Sequence, residues 1–263
     1  MIFKLKKSTL FFTAILIGLF IIKPTTAESF VPDRTYYENR GDIVWDVPTQ
    51  QKYIALTFDD GPNITYTPEI LDVLKDYNAK ATFFLIGEKM VEHPELVTRE
   101  VKEGHEIENH TFTHVRITRL PDKAFLKDVE KAEAEINRYQ NDSLHLFRPP
   151  GGALNKRVID SLIKANYEIV LWSWHQDTED WKRPGANRIA RKVINNAHNG
   201  DIVILHDSGG NRSQTVKALK TILPTLEKQG YKFVTVSDLL KSCPKYHFLF
   251  KNHVDLAPDY MSQ

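Results

Sequence analysis

The sequence predicts an α/β fold, with a single domain built as a distorted (β/α)7 barrel. Three observations carry that expectation. Short β-rich runs alternate with amphipathic helical stretches from Tyr53 onward. Such alternation implies right-handed crossovers and a parallel sheet covered by helices. The units number about seven, so a TIM-like barrel one unit short is the economical closure. A chain of 263 residues fits that reading, because α/β barrels of this size commonly form one domain.

Before the barrel, Lys4, Lys6 and Lys7 precede an apolar run from about Leu10 to Ile22, and small residues follow up to Ala27. That is the pattern of an export signal peptide over 1–27. An uncleaved N-terminal anchor is the alternative, although the run is short for a hydrocarbon core of about 30 Å. Either way the expected location is secreted, in the cell wall or on the outer face of a bacterial membrane. The sole cysteine, Cys243, leaves no intrachain disulfide to form and lies far from any N-terminal lipidation position. Residues 28–50 hold Pro32, Tyr36, Tyr37, Trp45 and Pro48 without clear periodicity, and read as a linker or strap.

The domain is expected over 51–240. Its first units are YIALTF with TPEILDVLKDYN, and ATFFLIG with PELVTREVKEG. Later strand candidates are HEIEN, HLF, YEIVLWSW, DIVILH and YKFVTV, separated by helical stretches near 122–139, 155–165, 186–197 and 212–228. Residues 241–263 read as a C-terminal tail or final cap.

Composition narrows the function classes. Hydrophobic residues at 41% and charged residues at 26% exclude a disordered or multi-pass membrane chain. Residues 28–263 carry 31 basic against 34 acidic side chains, a net of −3, because the first 27 residues hold four basic groups and no acidic one. No footprint for nucleic acid follows from that balance. A neutral or zwitterionic polymer suits it, and the expected state is a monomer.

In barrels of this kind, active sites sit at the C-terminal ends of the strands. The polar residues found there are unusually acidic and histidine-rich. Asp59 and Asp60 follow the first run, His110 and His114 the third, Arg148 the fourth, Asp177 and Asp180 the fifth, and His206 the sixth. His110 and His114, at i and i+4 in HTFTH, would face one side of a helical turn, where a third ligand could complete a metal site. Such a pair alone is weak, since ten histidines produce that spacing by chance. TFDDGPN adds two adjacent carboxylates, leaving one free for a metal and the other for substrate. Those residue types also make an ordinary turn, but a turn leaves the other four strand ends unexplained.

TFDDGPN, HTFTH, RPPGG, DTEDW and VILHD, in this order, resemble the five motifs of the polysaccharide deacetylase family (the NodB homology domain, carbohydrate esterase family 4). The resemblance spans about residues 52–240. It implies a hydrolase that removes N-acetyl groups from a polysaccharide. Asp59 then matches the catalytic base, and Asp60 joins His110 and His114 on a divalent metal. Arg148 matches the arginine that ion-pairs with the base. Gly151 supplies a backbone N–H to the oxyanion, and Asp180 orients the acid, His206. Trp181, Ile204 and Leu205 correspond to the wall of the acetyl-methyl pocket. Many relatives carry an aromatic residue where RPPGG has Gly151, so one side chain is missing from the substrate groove. A two-His, one-carboxylate site favours Zn2+, with Co2+ or another first-row ion also accepted.

Six of the other histidines, His93, His145, His175, His198, His247 and His253, lack motif partners and read as structural or surface residues. Trp172 and Trp174 alternate along a strand candidate and are expected to face core or helix. Asp177 either supports the metal site or caps its loop. A glycosidase would need two acids roughly 5 to 10 Å apart and no metal, which leaves the His pair and Arg148 without a role. Chitin or chitooligosaccharide deacetylation and acetyl xylan ester cleavage use the same motifs. A carbohydrate-binding wall protein without turnover would have no reason to keep Asp59 and His206 together. Peptidoglycan is the preferred substrate, on the signal peptide and on resemblance to secreted wall deacetylases.

Overall fold

The computed structural model describes residues 33–140 and 144–253; the expected signal peptide and the end of the tail lie outside them. The strands are β1 (Ile43–Val44), β2 (Tyr53–Asp59), β3 (Ala81–Leu85), β4 (Glu106–Asn109), β5 (His145–Phe147), β6 (Tyr167–Val170), β7 (Asp201–His206) and β8 (Lys232–Phe233). The helices are α1 (Arg34–Arg40), α2 (Tyr66–Asp76), α3 (Gly87–Glu92), α4 (Pro94–Lys102), α5 (Asp122–Ile136), α6 (Lys156–Lys164), α7 (Ala186–Asn195), α8 (Ser213–Lys228) and α9 (Val236–Lys241). Seven strands form a curled parallel sheet in the order β1-β6-β5-β4-β3-β2-β7, with β8 beside β2. Among the described residues no helix is long and apolar enough to cross a membrane.

Two-residue periodicity along each strand sorts side chains between two cores. Val44, Ala55, Phe84, Leu146, Val170 and Ile202, one from each of six strands, pack together inside the curl. Their neighbours Leu56, Phe58, Phe83, Leu85, Val203 and Leu205 pack outward with Leu71 of α2 and Leu219 of α8. Both faces are therefore covered. This is why β2, paired on both edges, reads as the nearly continuous apolar run YIALTF.

Two elements differ from expectation. Of YKFVTV only Lys232–Phe233 is strand, pairing with Tyr53 and Ile54 at the base of β2. Its end turns into α9 instead, because the Val236 N–H finds Thr82 Oγ1 at 2.8 Å and Glu106 Oε2 at 3.1 Å. The seventh position of the curl is taken by β1, from the segment read as a linker. Ile43 and Val44 are fully buried against β6, and α1 before them is capped by Asp33 and ended by Gly41 at φ +77°. A two-residue strand is too short to show a period, so the sequence pattern could not reveal it. The C-terminal segment closes the same side, with Cys243 and Tyr246 buried in the inner core.

The sheet does not close by strand pairing. β7 meets the chain beyond β1 through one antiparallel bridge, Asp46 to Asp201. Beyond β6 the chain crosses the gap, where Ser173 N–H donates to Ile202 O at 2.9 Å and Asp177 bridges Ile204. The C-terminal ends of β2, β4, β5 and β7 then face one mouth.

Candidate active site

Asp59 and His206 occupy opposite positions on neighbouring strands β2 and β7. Both end their strands on the inward-facing parity, so their side chains reach the same mouth about one strand spacing, roughly 5 Å, apart. Asp60 follows with φ +74°, a left-handed conformation that turns the second carboxylate away from the first. The two acids thereby acquire different partners.

Asp59 is buried and accepts a hydrogen bond from Arg148 Nη1 at 2.7 Å. Arg148 is fully buried, and every further contact holds its guanidinium in place. It donates to Thr57 Oγ1 at 2.7 Å, Val170 O at 3.1 Å and Leu171 O at 2.8 Å, and lies over the Phe84 ring at 4.0 Å. Burial lowers the Arg148 pKa, opposed by the Asp59 charge, and an arginine stays protonated regardless.

Asp60 Oδ1 lies 3.1 Å from His114 Nε2 and 3.5 Å from His110 Nε2. His110 Nδ1 is 2.7 Å from Arg148 O, so its Nδ1–H donates to that carbonyl and its Nε2 lone pair is left toward Asp60. Three ligand atoms converge within 4.8 Å of one another, one carboxylate and two imidazoles. Although burial opposes it, the adjoining His110 and His114 imidazoles hold Asp60 far below the usual carboxylate range. The donor set fits a divalent first-row ion.

The histidines do not share a helical turn, as their spacing had suggested. HTFTH is a loop with Thr111 at φ +67° and His114 at φ +55°. Its shape is set by side chains that satisfy its N–H groups: Asn109 Oδ1 accepts from Thr111 N at 2.9 Å, and Asp128 Oδ2 accepts from Phe112 N at 2.9 Å and Thr113 N at 3.1 Å. Those local bonds compete with a helix and win.

His206 Nδ1 is 2.6 Å from Asp180 Oδ1, while Asp180 Oδ2 accepts from His206 N at 2.9 Å and Thr215 Oγ1 at 2.7 Å. Burial alone would lower the His206 pKa, but the Asp180 hydrogen bond and charge, with Asp59 and Asp60 behind them, raise it to about 9. Asp180 shifts the other way; burial resists, and the bond to His206 keeps it low. The next residue, Asp207, is fully buried with a pKa raised to about 7 by burial, despite the Thr67 hydroxyl 2.5 Å from its Oδ2. Gly61 makes room for it, since a Cβ there would meet the carboxyl within 2.7 Å.

A family model described as polysaccharide deacetylase matches residues 46–170. The chain is 50% identical over 208 residues to a peptidoglycan-N-acetylglucosamine deacetylase of Bacillus cereus, covering 79% of this chain and 97% of that one. This chain belongs to the polysaccharide deacetylase family. Among solved structures, a peptidoglycan N-acetylglucosamine deacetylase in complex with 4-naphthalen-1-yl-N-oxidanyl-benzamide superposes with a TM-score of 0.73 at 34% identity, covering 78% of this chain and 95% of that one. A Bacillus anthracis pseudoenzyme of carbohydrate esterase family 4 is also similar, with a TM-score of 0.68 at 29% identity over 75% of this chain and 68% of that one. The (β/α)7 barrel is the family fold.

The deacetylase motifs are thus brought together, with exceptions. Gly151 lies exposed at the mouth at φ +63°, with open space around it. Ile204 faces inward and Trp181 stands half-exposed beside the site, next to Lys182. Leu205 is a correction: alternation turns it outward into the helix-covered core, fully buried among Phe58 and its neighbours, away from the mouth. Trp174 is another. β6 ends at Val170, so Trp174 sits on a turn and is 83% exposed. Trp172 stays partly buried, under Gly152. Asp177 Oδ1 accepts from Glu179 N at 3.1 Å, which caps the loop. Thr57, Thr215 and Asp128 escaped the sequence reading because each acts through a partner distant in the chain.

Proposed function

We propose that this chain is a metal-dependent deacetylase that removes N-acetyl groups from N-acetylglucosamine residues of peptidoglycan and releases acetate. One observation carries the reading: a buried base with its arginine and a partly buried acid with its buried aspartate lie opposite each other on β2 and β7, beside a His2Asp triad. Zn2+ on Asp60, His110 and His114 would polarise the acetyl carbonyl and acidify water. Asp59, oriented by Arg148, takes the proton from the attacking water. The Gly151 N–H faces the developing oxyanion, and Ile204 and Trp181 flank the methyl group. His206, charged at neutral pH and held by Asp180, gives its proton to the departing amine. A wall protein without turnover is disfavoured, because holding a sugar requires neither Asp59 nor His206.

The peptidoglycan assignment is supported by the relatives at 50% and 34% identity and by the export signal of the N-terminal segment, which would place a monomeric enzyme at the bacterial surface. Mass spectrometry of wall muropeptides, chitooligosaccharides and acetylated xylan after incubation with the metal-loaded protein tests it. Loss of acetyl mass chiefly from muropeptides is expected. Acetate release from xylan alone would reassign the site to ester cleavage.

A further inference from the structure

Metal-ligating side chains converge at a second place. His175, in the turn Trp174–Gln176 after β6, His198, in the loop between α7 and β7, and Asp201, the first residue of β7, bring one ligand atom each within 4.8 Å of the others. We propose that these three residues form a second divalent-cation site, for an ion of the Zn2+ type, that pins the seam of the barrel between β6 and β7.

The donor geometry supports this. His175 Nε2 lies 2.8 Å from Asp201 Oδ1 and 3.1 Å from His198 Nδ1. Ligand atoms around a tetrahedral zinc, with bonds of about 2.0 to 2.1 Å, stand roughly 3.3 Å apart, so small rotations of the two rings would seat the ion. Asp201 is buried, and its Oδ2 is already fixed by Gln176 Nε2 at 2.8 Å and His198 N at 2.9 Å. Its Oδ1 is what remains to face the imidazoles. Protons satisfy the cluster poorly, since a single hydrogen on His175 Nε2 would have to be shared between an oxygen and a nitrogen. A cation accepts all three lone pairs at once.

The site is distinct from the active centre. Asp201 opens β7 and His206 closes it, so the two lie about five residues, roughly 16 Å, apart along the strand. Partial exposure of His175 and exposure of His198 give an ion a way in. The location matters because ladder pairing is interrupted here, and the edges are joined by isolated bridges, Asp46 to Asp201 and Asp177 to Ile204, and by single bonds such as Ser173 N–H to Ile202 O. His175 also sits between Trp174, which lines the groove leading to Gly151, and Gln176, whose Nε2 holds Asn196 O on the opposite wall at 2.9 Å. An ion at this position would fix the wall that presents Trp174.

The inference does not depend on the deacetylase reading, and its test separates the two. The full chain is stripped with a chelator and titrated with Zn2+, the bound ion being counted by elemental analysis. Two equivalents are expected, falling to one in His198→Ala, His198→Gln and His175→Ala, to one in His110→Ala, and to none in His110→Ala combined with His198→Ala. Co2+ absorption in His110→Ala reports the second site by itself and should vanish on adding His198→Gln, at an exposed position where folding is not at stake. Melting temperatures in chelator should match across the His198 variants. One equivalent in the wild type, or two that survive both His198 and His175 substitutions, would overturn the proposal. Metal lost in the His198 variants but retained in His110→Ala would instead count against the active-site assignment.

Discussion

Asp59 and Asp60 show how one residue's backbone decides chemistry. A φ of +74° at Asp60 lets adjacent carboxylates serve an arginine and a histidine pair separately. Asp59→Asn should therefore keep bound metal yet lose activity by roughly 10²-fold or more, the scale of a positioned general base. Asp60→Ala or His114→Ala should lose activity together with the triad's equivalent of metal, as metal analysis beside acetate release would reveal. Full metal with full loss of activity in all three variants would contradict the division of roles. His206 and Asp180 form the second unit. Because the folded pKa of His206 is raised to about 9, its imidazole is protonated at neutral pH and loses that proton as pH rises through that value. The same sign governs stability: the His206 contribution is complete below the ordinary histidine pKa of about 6.5 and disappears above the folded one. Asp180→Asn removes the main raising partner, so the alkaline limb of kcat/KM should move to lower pH. His206→Ala should harm amide cleavage more than ester cleavage, and the double variant should be strongly non-additive. An unmoved limb in Asp180→Asn would return Asp180 to a loop carboxylate.

At the scale of elements, strands were legible where they were long and buried on both faces, as in YIALTF and DIVILH. Where two residues sufficed, β1 was illegible and β8 was read too long, as the whole of YKFVTV. The site was legible at strand ends because a parallel barrel places every such end at one mouth. What escaped was loop conformation: i, i+4 spacing pointed to a helix in HTFTH, while Asn109 and Asp128 dictate a loop. Period-two alternation, applied to VILHD, would have separated Ile204 from Leu205 in advance. The loop reading carries its own prediction. Asp128 Oδ1 accepts from Thr113 Oγ1 at 2.9 Å, adding to the two N–H bonds at Oδ2, so Asp128→Ala leaves His114 unsupported. Metal affinity should fall by about 10- to 100-fold, the usual cost of losing an outer partner, with the melting temperature in chelator little changed. Competition with a chromogenic chelator measures it, and unchanged affinity would mean that the loop holds its shape without Asp128.

At the scale of the whole molecule, a net charge of −3 over residues 28–263 conceals a local excess of the opposite sign. A groove of about 890 Å³ runs from Gly151 past Trp45, Trp172 and Trp174 to α7, where Arg188, Arg191 and Lys192 line it. Two acids, Asp177 and Glu179, share that lining, but Asp177 caps its own loop and Glu179 pairs with Lys182. Aromatic walls suit sugar faces, and the cations on α7 suit carboxylates. Peptidoglycan carries such carboxylates on its peptide stems, or on the lactyl ether where no stem is attached, whereas a chitooligosaccharide carries none. Reversing charge with Arg191→Glu and Lys192→Glu together should therefore raise KM for muropeptide-bearing glycan several-fold and leave kcat nearly unchanged, because Asp59 and His206 take their hydrogen bonds and ion pairs from Arg148 and Asp180 and not from α7. KM for a chitooligosaccharide should hardly move. Raising the ionic strength should shrink the difference, since exposed charges are screened beyond about 8 Å at 0.15 M salt. If both substrates suffered equally, the groove would be reading the sugar backbone alone, and the preference for peptidoglycan would have to come from another surface.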